Sequence, residues 1–146
     1  MPIVGHIPVS IVALVFYALW AMALVLMIAI ERTVLILRGH VKVNEFLSGL
    51  PHGNPSYWRL NRAHLNATEN LAIFATVVLA GWAAGAESYA FNLLAVIVLV
   101  ARILQSVVHI LSGSVGATWV RSLSFAAQIV CEIWMAVIIL HTARIL

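Results

Sequence analysis

The chain has 146 residues, of which 64% are hydrophobic and only 9% are charged. An ordinary soluble domain has about 25% charged residues, so this composition excludes a soluble globular enzyme, a disordered chain and a nucleic-acid-binding module. The net charge of +3 is too small for a surface that follows a phosphate backbone. In a membrane protein a small basic excess determines the topology instead. We therefore expect an integral membrane protein with no nucleic-acid partner.

The hydrophobic pattern predicts four membrane-spanning helices, since about 20 apolar residues cross a bilayer. We expect them at about 8–37, 56–84, 89–111 and 118–144. The uncharged stretch before Glu31 lacks the basic region of a signal peptide, so we expect the first helix to be retained. Ser56 follows a segment rich in Gly and Pro and is the candidate N-cap of the second helix. The chain is then a single all-α domain over residues 1–146, an integral membrane four-helix bundle.

The basic residues predict how the chain is oriented in the membrane. Most of them surround the connection between the first two helices: Arg32, Arg38, Lys42, Arg59 and Arg62. Arg121 adjoins the third connection, whereas the second connection and the N-terminus have no basic residue. Because connections rich in Lys and Arg stay in the cytoplasm, we expect a multi-pass protein whose first and third connections are cytoplasmic. Both termini then lie outside the cytoplasm.

Each predicted helix has one polar stripe, although a charged side chain inside a membrane costs about 2.5–3.5 kcal/mol on insertion scales. At about 100° per residue, five residues of the second helix share one arc: Arg59, Arg62, Asn66, Glu69 and Asn70. The third helix has Arg102, Gln105, Ser106, His109 and Ser112, and the fourth has Arg121, Ser124, Phe125, Gln128 and Glu132. The first helix has Glu31 and Arg38. We expect the four stripes to meet inside the bundle.

The stripes have two interpretations. In the first, they only join the helices, and Glu31, Glu69 and Glu132 each pair with an arginine. In the second, they bind a ligand, because the stripes hold more arginines than glutamates and buried cations favour an anionic ligand. The presence of Asn66 beside Glu69 then indicates a ligand that also has an ammonium group or amides.

The sequence indicates neither a metal site nor a haem. No helix carries the H-x-x-x-H or E-x-x-H spacing of metal ligands. The lone cysteine, Cys131, excludes a cysteine cage and an internal disulfide. A haem with two histidine ligands needs both at the same depth on facing helices. His64 and His109 are the only candidate pair, and we expect no haem between them.

The segment from Arg59 to Asn70, RLNRAHLNATEN, resembles the signature of the MAPEG family, the membrane-associated proteins in eicosanoid and glutathione metabolism. Its RAHLNATEN core is most similar to that of the microsomal glutathione transferases. Residues 101–109 and 121–125 resemble further family segments, and Arg38 fits the arginine at the end of the first helix. The resemblance implies a left-handed bundle that assembles as a homotrimer. It also implies that glutathione binds between neighbouring subunits, near the cytoplasmic face.

Carried over residue by residue, the resemblance implies a glutathione site and a catalytic centre. The glutathione-binding residues would be Arg38, Arg62, His64, Asn66, Glu69, Gln105, His109, Arg121 and Phe125. Glu69 and Asn66 would bind the γ-glutamyl ammonium and the amides, and Arg38 and Arg62 would bind the carboxylates. Arg121 would face the sulfur, and Ser122 or Ser124 would add a weaker hydrogen bond. Arg121 and Ser124 are the catalytic candidates.

Three of these residues depart from the family pattern. Gln105 and His109 stand where members often have His and Tyr, and Phe125 stands where prostaglandin E synthase-like members have Tyr. The expected function is conjugation of glutathione, as cosubstrate, to a hydrophobic electrophile, with glutathione peroxidase as a further activity. One alternative is a non-enzymatic membrane protein of the same family that binds lipid or glutathione. Another is a small transporter or proton relay along the polar residues of the second and fourth helices.

Overall fold

The computed structural model describes residues 7–46 and 53–144, which form four α-helices and, within these ranges, no strand. The helices are α1 (Val9–Leu37), α2 (Pro55–Ala83), α3 (Tyr89–Leu111) and α4 (Val115–Thr142). The prediction of an all-α fold with four helices is therefore confirmed. The largest difference from the expected ends is at α4, which begins at Val115 rather than at 118.

Side-chain caps determine where three of the helices begin. The Asn54 Oδ1 atom accepts the backbone N–H of Tyr57 at 2.7 Å at the start of α2. Ser88 and Ser114 cap α3 and α4 in the same way. The prediction that Ser56 caps α2 is wrong, because its hydroxyl donates to Asn54 Oδ1 at 2.7 Å. A proline at the first helical position explains the earlier start, since its fixed φ suits the helix and it needs no N–H partner.

The four helices run alternately up and down. The backbone N–H of Ser10, at the start of α1, donates to Asn92 Oδ1 at the start of α3, so these two helices are parallel. Arg59, near the start of α2, donates to the carbonyl of Ile110 near the end of α3, so α2 is antiparallel to both. α2 and α3 contact all the other helices, whereas α1 and α4 do not contact each other. The α2–α3 pair is therefore the centre of the bundle.

α2 and α3 approach closely at the end opposite the first connection. A Cβ atom at Gly81 of α2 would overlap the fully buried ring of Phe91 of α3. A glycine is therefore required at this position for the ring to pack against the helix backbone. This contact at one end and the Arg59–Ile110 hydrogen bond at the other hold the central pair in register.

The outside of the bundle is mostly apolar, as a bilayer requires. α1, α3 and α4 are long and apolar enough to cross a membrane. The sequence predicts four spans, and α2 differs from the other three because its first half carries a dense polar stripe. α2 nevertheless has 29 residues, the same length as α1. The polar half of α2 is covered in part by α3 and α4, and this arrangement forms the candidate site.

Candidate functional site

The basic residues gather at one end of the bundle, where α1 and α3 end and α2 and α4 begin. Six of the eight lie there: Arg32, Arg38, Lys42, Arg59, Arg62 and Arg121. Two of the six join helices to each other. The Arg32 Nε atom donates to the hydroxyl of Tyr57 at 2.7 Å, and the Arg59 Nε atom donates to the Ile110 carbonyl at 3.0 Å.

A cavity of about 400 Å³ lies between α2, α3 and α4 at this end. The α2 wall consists of Arg62, Asn66, Glu69 and Ile73, whose three- and four-residue spacing places them on one side of the helix. The side of α2 that packs into the bundle is apolar at Ala63 and Ala67 and polar only at Asn70, which also reaches the cavity. The helical period thus separates a packing face from a ligand-accessible face.

The facing walls come from the end of α3 and the start of α4. α3 contributes Gln105 and His109, one turn apart, and α4 contributes Arg121, Ser122, Phe125 and Ile129. Along both α2 and α4 the charged residues come first, near the helix start, and the apolar ones follow deeper in the bundle. The cavity is therefore cationic and polar at the basic end and apolar further in.

The polar groups of the cavity do not neutralise one another. In the described part of the chain, Arg62, Asn66 and Glu69 form no side-chain hydrogen bond. The Arg121 Nη2 atom reaches only the Thr118 hydroxyl of its own helix, at 3.1 Å. Two cations, an amide and a carboxylate are thus available to a ligand, and this combination matches a molecule that carries both charges.

The first interpretation of the stripes, in which Glu31, Glu69 and Glu132 each pair with an arginine, does not hold. Within residues 7–46 and 53–144, no side-chain nitrogen of Lys or Arg lies within 4.0 Å of a glutamate oxygen. The reason is depth: most arginines lie at the helix ends, whereas Glu132 is deep in α4 and accepts a hydrogen bond from Asn70 at 2.8 Å.

Four buried polar residues form an interior cluster directly behind the cavity: Asn70, Gln105, Gln128 and Glu132. The Asn70 Nδ2 atom donates to Glu132 Oε1 at 2.8 Å and to Gln128 Oε1 at 3.3 Å. The Gln128 Nε2 atom donates to Gln105 Oε1 at 3.0 Å and to the Ser124 carbonyl at 2.9 Å. The interior cluster ties α2, α3 and α4 together and shares Asn70 and Gln105 with the cavity wall.

Arg102 occupies a different place from the other arginines. It is 1% exposed, and its guanidinium lies 5.6 Å from the centroid of the Tyr17 ring. Tyr17 is itself fully buried and donates its hydroxyl to the Ala67 carbonyl at 3.1 Å. Glu69 and Glu132 lie close enough to Arg102 to interact with it electrostatically. Arg102 thus lies in the interior between α1 and α3, outside the cavity.

A match that covers almost the whole chain identifies its family. The family model of the MAPEG family matches residues 7–141. The chain belongs to the MAPEG family. Together with the three apolar helices, this membership makes it an integral membrane protein related to glutathione and eicosanoid metabolism. No curated protein matches the chain.

Most of the site residues suggested by the MAPEG resemblance come together in the cavity. Those that line it are Arg62, Asn66, Glu69, Gln105, His109, Arg121 and Phe125. Three do not. Arg38 is exposed beyond the end of α1, and His64 is half-buried on another side of α2. Ser124 is buried, and its carbonyl accepts the Gln128 side chain.

Of the two serines that the sequence offers as donors to the sulfur, Ser122 lines the cavity and Ser124, the catalytic candidate, does not. A signal was present: Ser122, Phe125 and Ile129 are spaced i, i+3 and i+7 and share one helix face, whereas Ser124 belongs with Gln128 on the packed face. Asn70 is the other polar residue of the cavity outside the expected set. In the part of the chain that the structure describes, no three His, Cys, Asp or Glu side chains come together as a metal site would require.

Proposed function

We propose that this MAPEG protein is a membrane-bound glutathione transferase that conjugates the glutathione thiolate to hydrophobic electrophiles. The observation that carries the proposal is the cavity itself. It places Arg62, Arg121, Asn66 and Glu69, none of which forms an ion pair in the described ranges, at one end and the apolar Phe125, Ile73 and Ile129 further along the helices. Glutathione has two carboxylates, one ammonium group, two amides and a thiol, so it complements this set. A volume of about 400 Å³ suits a ligand of that size.

The binding contacts follow from charge. The γ-glutamyl ammonium pairs with Glu69, the peptide groups bond to the Asn66 amide, and a carboxylate binds Arg62 through charge-assisted hydrogen bonds. Arg38 and His64 lie outside the cavity of their own chain. In the homotrimer that we propose, these two residues contact the glutathione held by a neighbouring subunit.

The chemistry needs a thiolate, because the thiol is a weak nucleophile. A thiol with a pKa of about 8.5 is only about 3% ionised at pH 7. A guanidinium about 4 Å away offers up to about 4 kcal/mol before desolvation is subtracted, which is enough to lower that pKa by about two units. Arg121 supplies this charge, and Ser122 adds a hydrogen bond to the sulfur.

The electrophile binds in the apolar part of the cavity, beside Phe125 and Ile129. The thiolate attacks an electrophilic carbon, a carbon–sulfur bond forms, and the leaving group departs with its electron pair. A hydroperoxide would react with the same thiolate through its terminal oxygen. This attack breaks the O–O bond, releases the alcohol and leaves the first glutathione as its sulfenic acid. The thiol of a second glutathione would then displace water from that sulfenic acid to give glutathione disulfide.

Calorimetry and turnover of the purified protein test this proposal. In mild detergent we expect it to bind glutathione and to conjugate 1-chloro-2,4-dinitrobenzene, measured as the absorbance of the product. Arg144→Ala is the matched control, because it removes an exposed arginine at the opposite end of the bundle. Absence of glutathione binding would overturn the proposal. Binding without turnover would favour the non-enzymatic alternative within the same family.

We propose further that the cavity faces the cytoplasm, because six of the eight basic residues lie at its end of the bundle. Both termini then lie on the other side of the membrane. A reporter that is active only outside the cytoplasm, fused after Leu146, should be active. A second fusion within the first connection is expected to be inactive. An inactive reporter after Leu146 together with an active one in the first connection would show the opposite orientation.

A further inference from the structure

The hydrogen bonds of the interior cluster have a fixed donor-to-acceptor direction, which is determined by the Gln128 amide. The Gln128 side chain is fully buried, and its Nε2 atom lies 2.9 Å from the Ser124 carbonyl. A backbone carbonyl only accepts hydrogen bonds, so the nitrogen of the Gln128 amide must face it. The second hydrogen of the same nitrogen goes to Gln105 Oε1 at 3.0 Å. Both donors of Gln128 are therefore used.

Asn70 holds the oxygen of the Gln128 amide. Its Oε1 atom accepts from Asn70 Nδ2 at 3.3 Å, and Asn70 Nδ2 also donates to Glu132 Oε1 at 2.8 Å. A carboxylate oxygen is an acceptor, which orients Asn70 in turn. Reversing the Gln128 amide would bring two oxygens together at Ser124 and at Gln105, and two nitrogens together at Asn70. Buried polar atoms that lose their partners are unfavourable, so the observed direction is the stable one.

The consequence appears at the cavity wall. Gln105 lines the cavity, and its oxygen faces the buried Gln128 amide, from which it accepts a hydrogen bond. The part of the Gln105 amide that has no partner in the described chain is Nε2, with two N–H donors. We propose that Gln128 is a positioning residue that turns Gln105 into a donor-only contact, so that this part of the cavity binds an acceptor oxygen of the ligand. The inference rests on the proposed function. It adds a preference for an acceptor oxygen at this position of the cavity, and this preference requires both glutamines.

The acceptor oxygen has two sources, a carboxylate or carbonyl of glutathione and an oxygen of the electrophile. Two measurements distinguish them. If the oxygen belongs to glutathione, Gln105→Met weakens glutathione binding in the absence of electrophile by about tenfold or more, as expected for a hydrogen bond to a charged or strongly polar oxygen. If it belongs to the electrophile, glutathione affinity is unchanged. The KM for chlorodinitrobenzene then rises at saturating glutathione.

A double-mutant cycle between positions 105 and 128 tests the positioning role in the full-length protein in detergent. Gln128→Met fills a similar volume and removes the two donors and the acceptor. It should weaken the same binding step as Gln105→Met, by about fivefold or more. Combined with Gln105→Met, it should have no further effect, because Gln128 acts through Gln105. Effects that multiply in the double variant would overturn the proposal.

A second pair of variants keeps the test decisive if Gln128→Met does not fold. Gln105→Glu and Gln105→Met have similar volume, and both remove the donors, but only the carboxylate repels an acceptor oxygen. Gln105→Glu should therefore bind several-fold more weakly than Gln105→Met, and equal or tighter binding would contradict a donor-only contact. Arg144→Ala, at the opposite end of the bundle and outside both the cavity and the interior cluster, is the control, and its affinity should stay within about twofold. Failure of the unmodified protein to bind glutathione overturns the proposed function and this inference together. If the unmodified protein binds glutathione but the effects of Gln105→Met and Gln128→Met multiply in the double variant, only this inference is overturned.

Discussion

The cavity and the interior cluster lie side by side and are built from the same kinds of residue, yet they treat their polar groups in opposite ways. In the interior cluster, Asn70, Gln105, Gln128 and Glu132 bond to one another. In the cavity, Arg62, Asn66 and Glu69 form no side-chain hydrogen bond within the described ranges. The difference is access: the four residues of the interior cluster lie within hydrogen-bond reach of one another inside the bundle, although Glu132 Oε2 finds no partner, whereas a group that opens to the cavity is available to a ligand.

Two glutamates show this contrast most directly. Glu132 is 3% exposed and accepts the amide of Asn70, so its role is to join α4 to α2. Glu69 is exposed at the cavity and has no such bond. Removing the first should therefore change stability, and removing the second should change ligand binding.

The largest effect is expected at Glu69. Glu69→Gln should weaken glutathione binding by about ten- to a hundredfold, because a hydrogen bond to a charged group contributes about 1.5–3 kcal/mol. The unfolding temperature should not change. Calorimetry and a thermal melt measure the two quantities, with Glu87→Gln, in the exposed second connection, as the matched control. Unchanged affinity in a folded Glu69→Gln protein would show that Glu69 does not bind glutathione, and would favour a role in joining the helices.

Arg121→Ala should lower the conjugation rate by about 25-fold at pH 7, the loss of thiolate when the pKa of the bound thiol returns from about 6.5 to about 8.5. Glutathione should stay bound through the carboxylate and ammonium contacts. Raising the pH should recover part of the rate, since removing a cation raises the pKa of a thiol and a higher pH ionises it again. Thiolate absorbance of the bound glutathione, titrated against pH, measures this shift. Identical curves for the two proteins would exclude this role for Arg121.

Glu132→Ala breaks the interior cluster instead. It leaves the Asn70 amide with only the longer bond to Gln128, at 3.3 Å, and should destabilise the protein by about 1–3 kcal/mol. A lower unfolding temperature in the same detergent is the expected readout. Glu69→Gln serves as the control that does not shift it. A melt as high as that of the unmodified protein would show that the interior cluster adds no net stability.

The smallest effect is expected at Arg38, which is exposed and outside the cavity of its own chain. Arg38→Ala should weaken glutathione binding by about three- to tenfold, because an exposed cation is screened by solvent.

Cross-linking in mild detergent should give a ladder that ends at a trimer. Subunits with Arg38→Ala and subunits with Glu69→Gln, mixed in one trimer, should regain some tight sites. A monomer that still binds glutathione would contradict the shared site.

The sequence predicts the helices and the α2 wall well, because both depend on local periodicity. Long apolar runs define α1, α3 and α4, and the spacing of Arg62, Asn66 and Glu69 fixes one face of α2 without reference to its neighbours. The Ser56 cap fails for a local reason also, since Asn54 before a proline is the better N-cap.

The rotation of α4 about its axis could not be predicted, because it depends on which face packs best against α2 and α3. The stripe of α4 therefore splits: Arg121 reaches the cavity, while Gln128 and Glu132 pack inside. The interpretation of the stripes as arginine–glutamate pairs fails for a related reason. Spacing along one helix gives the angle of a side chain, but it does not give the depth at which a partner on another helix will lie.

The apolar part of the cavity has a consequence for how activity is measured. Ile73 of α2 and Phe125 of α4 are 51% and 47% exposed, so in the function that we propose the apolar part of the cavity is open to the acyl chains. A hydrophobic electrophile then arrives by lateral diffusion in the lipid or detergent phase. The relevant concentration is its mole fraction in that phase, and adding empty micelles at a constant total amount of substrate will slow turnover by surface dilution, with no change in the protein.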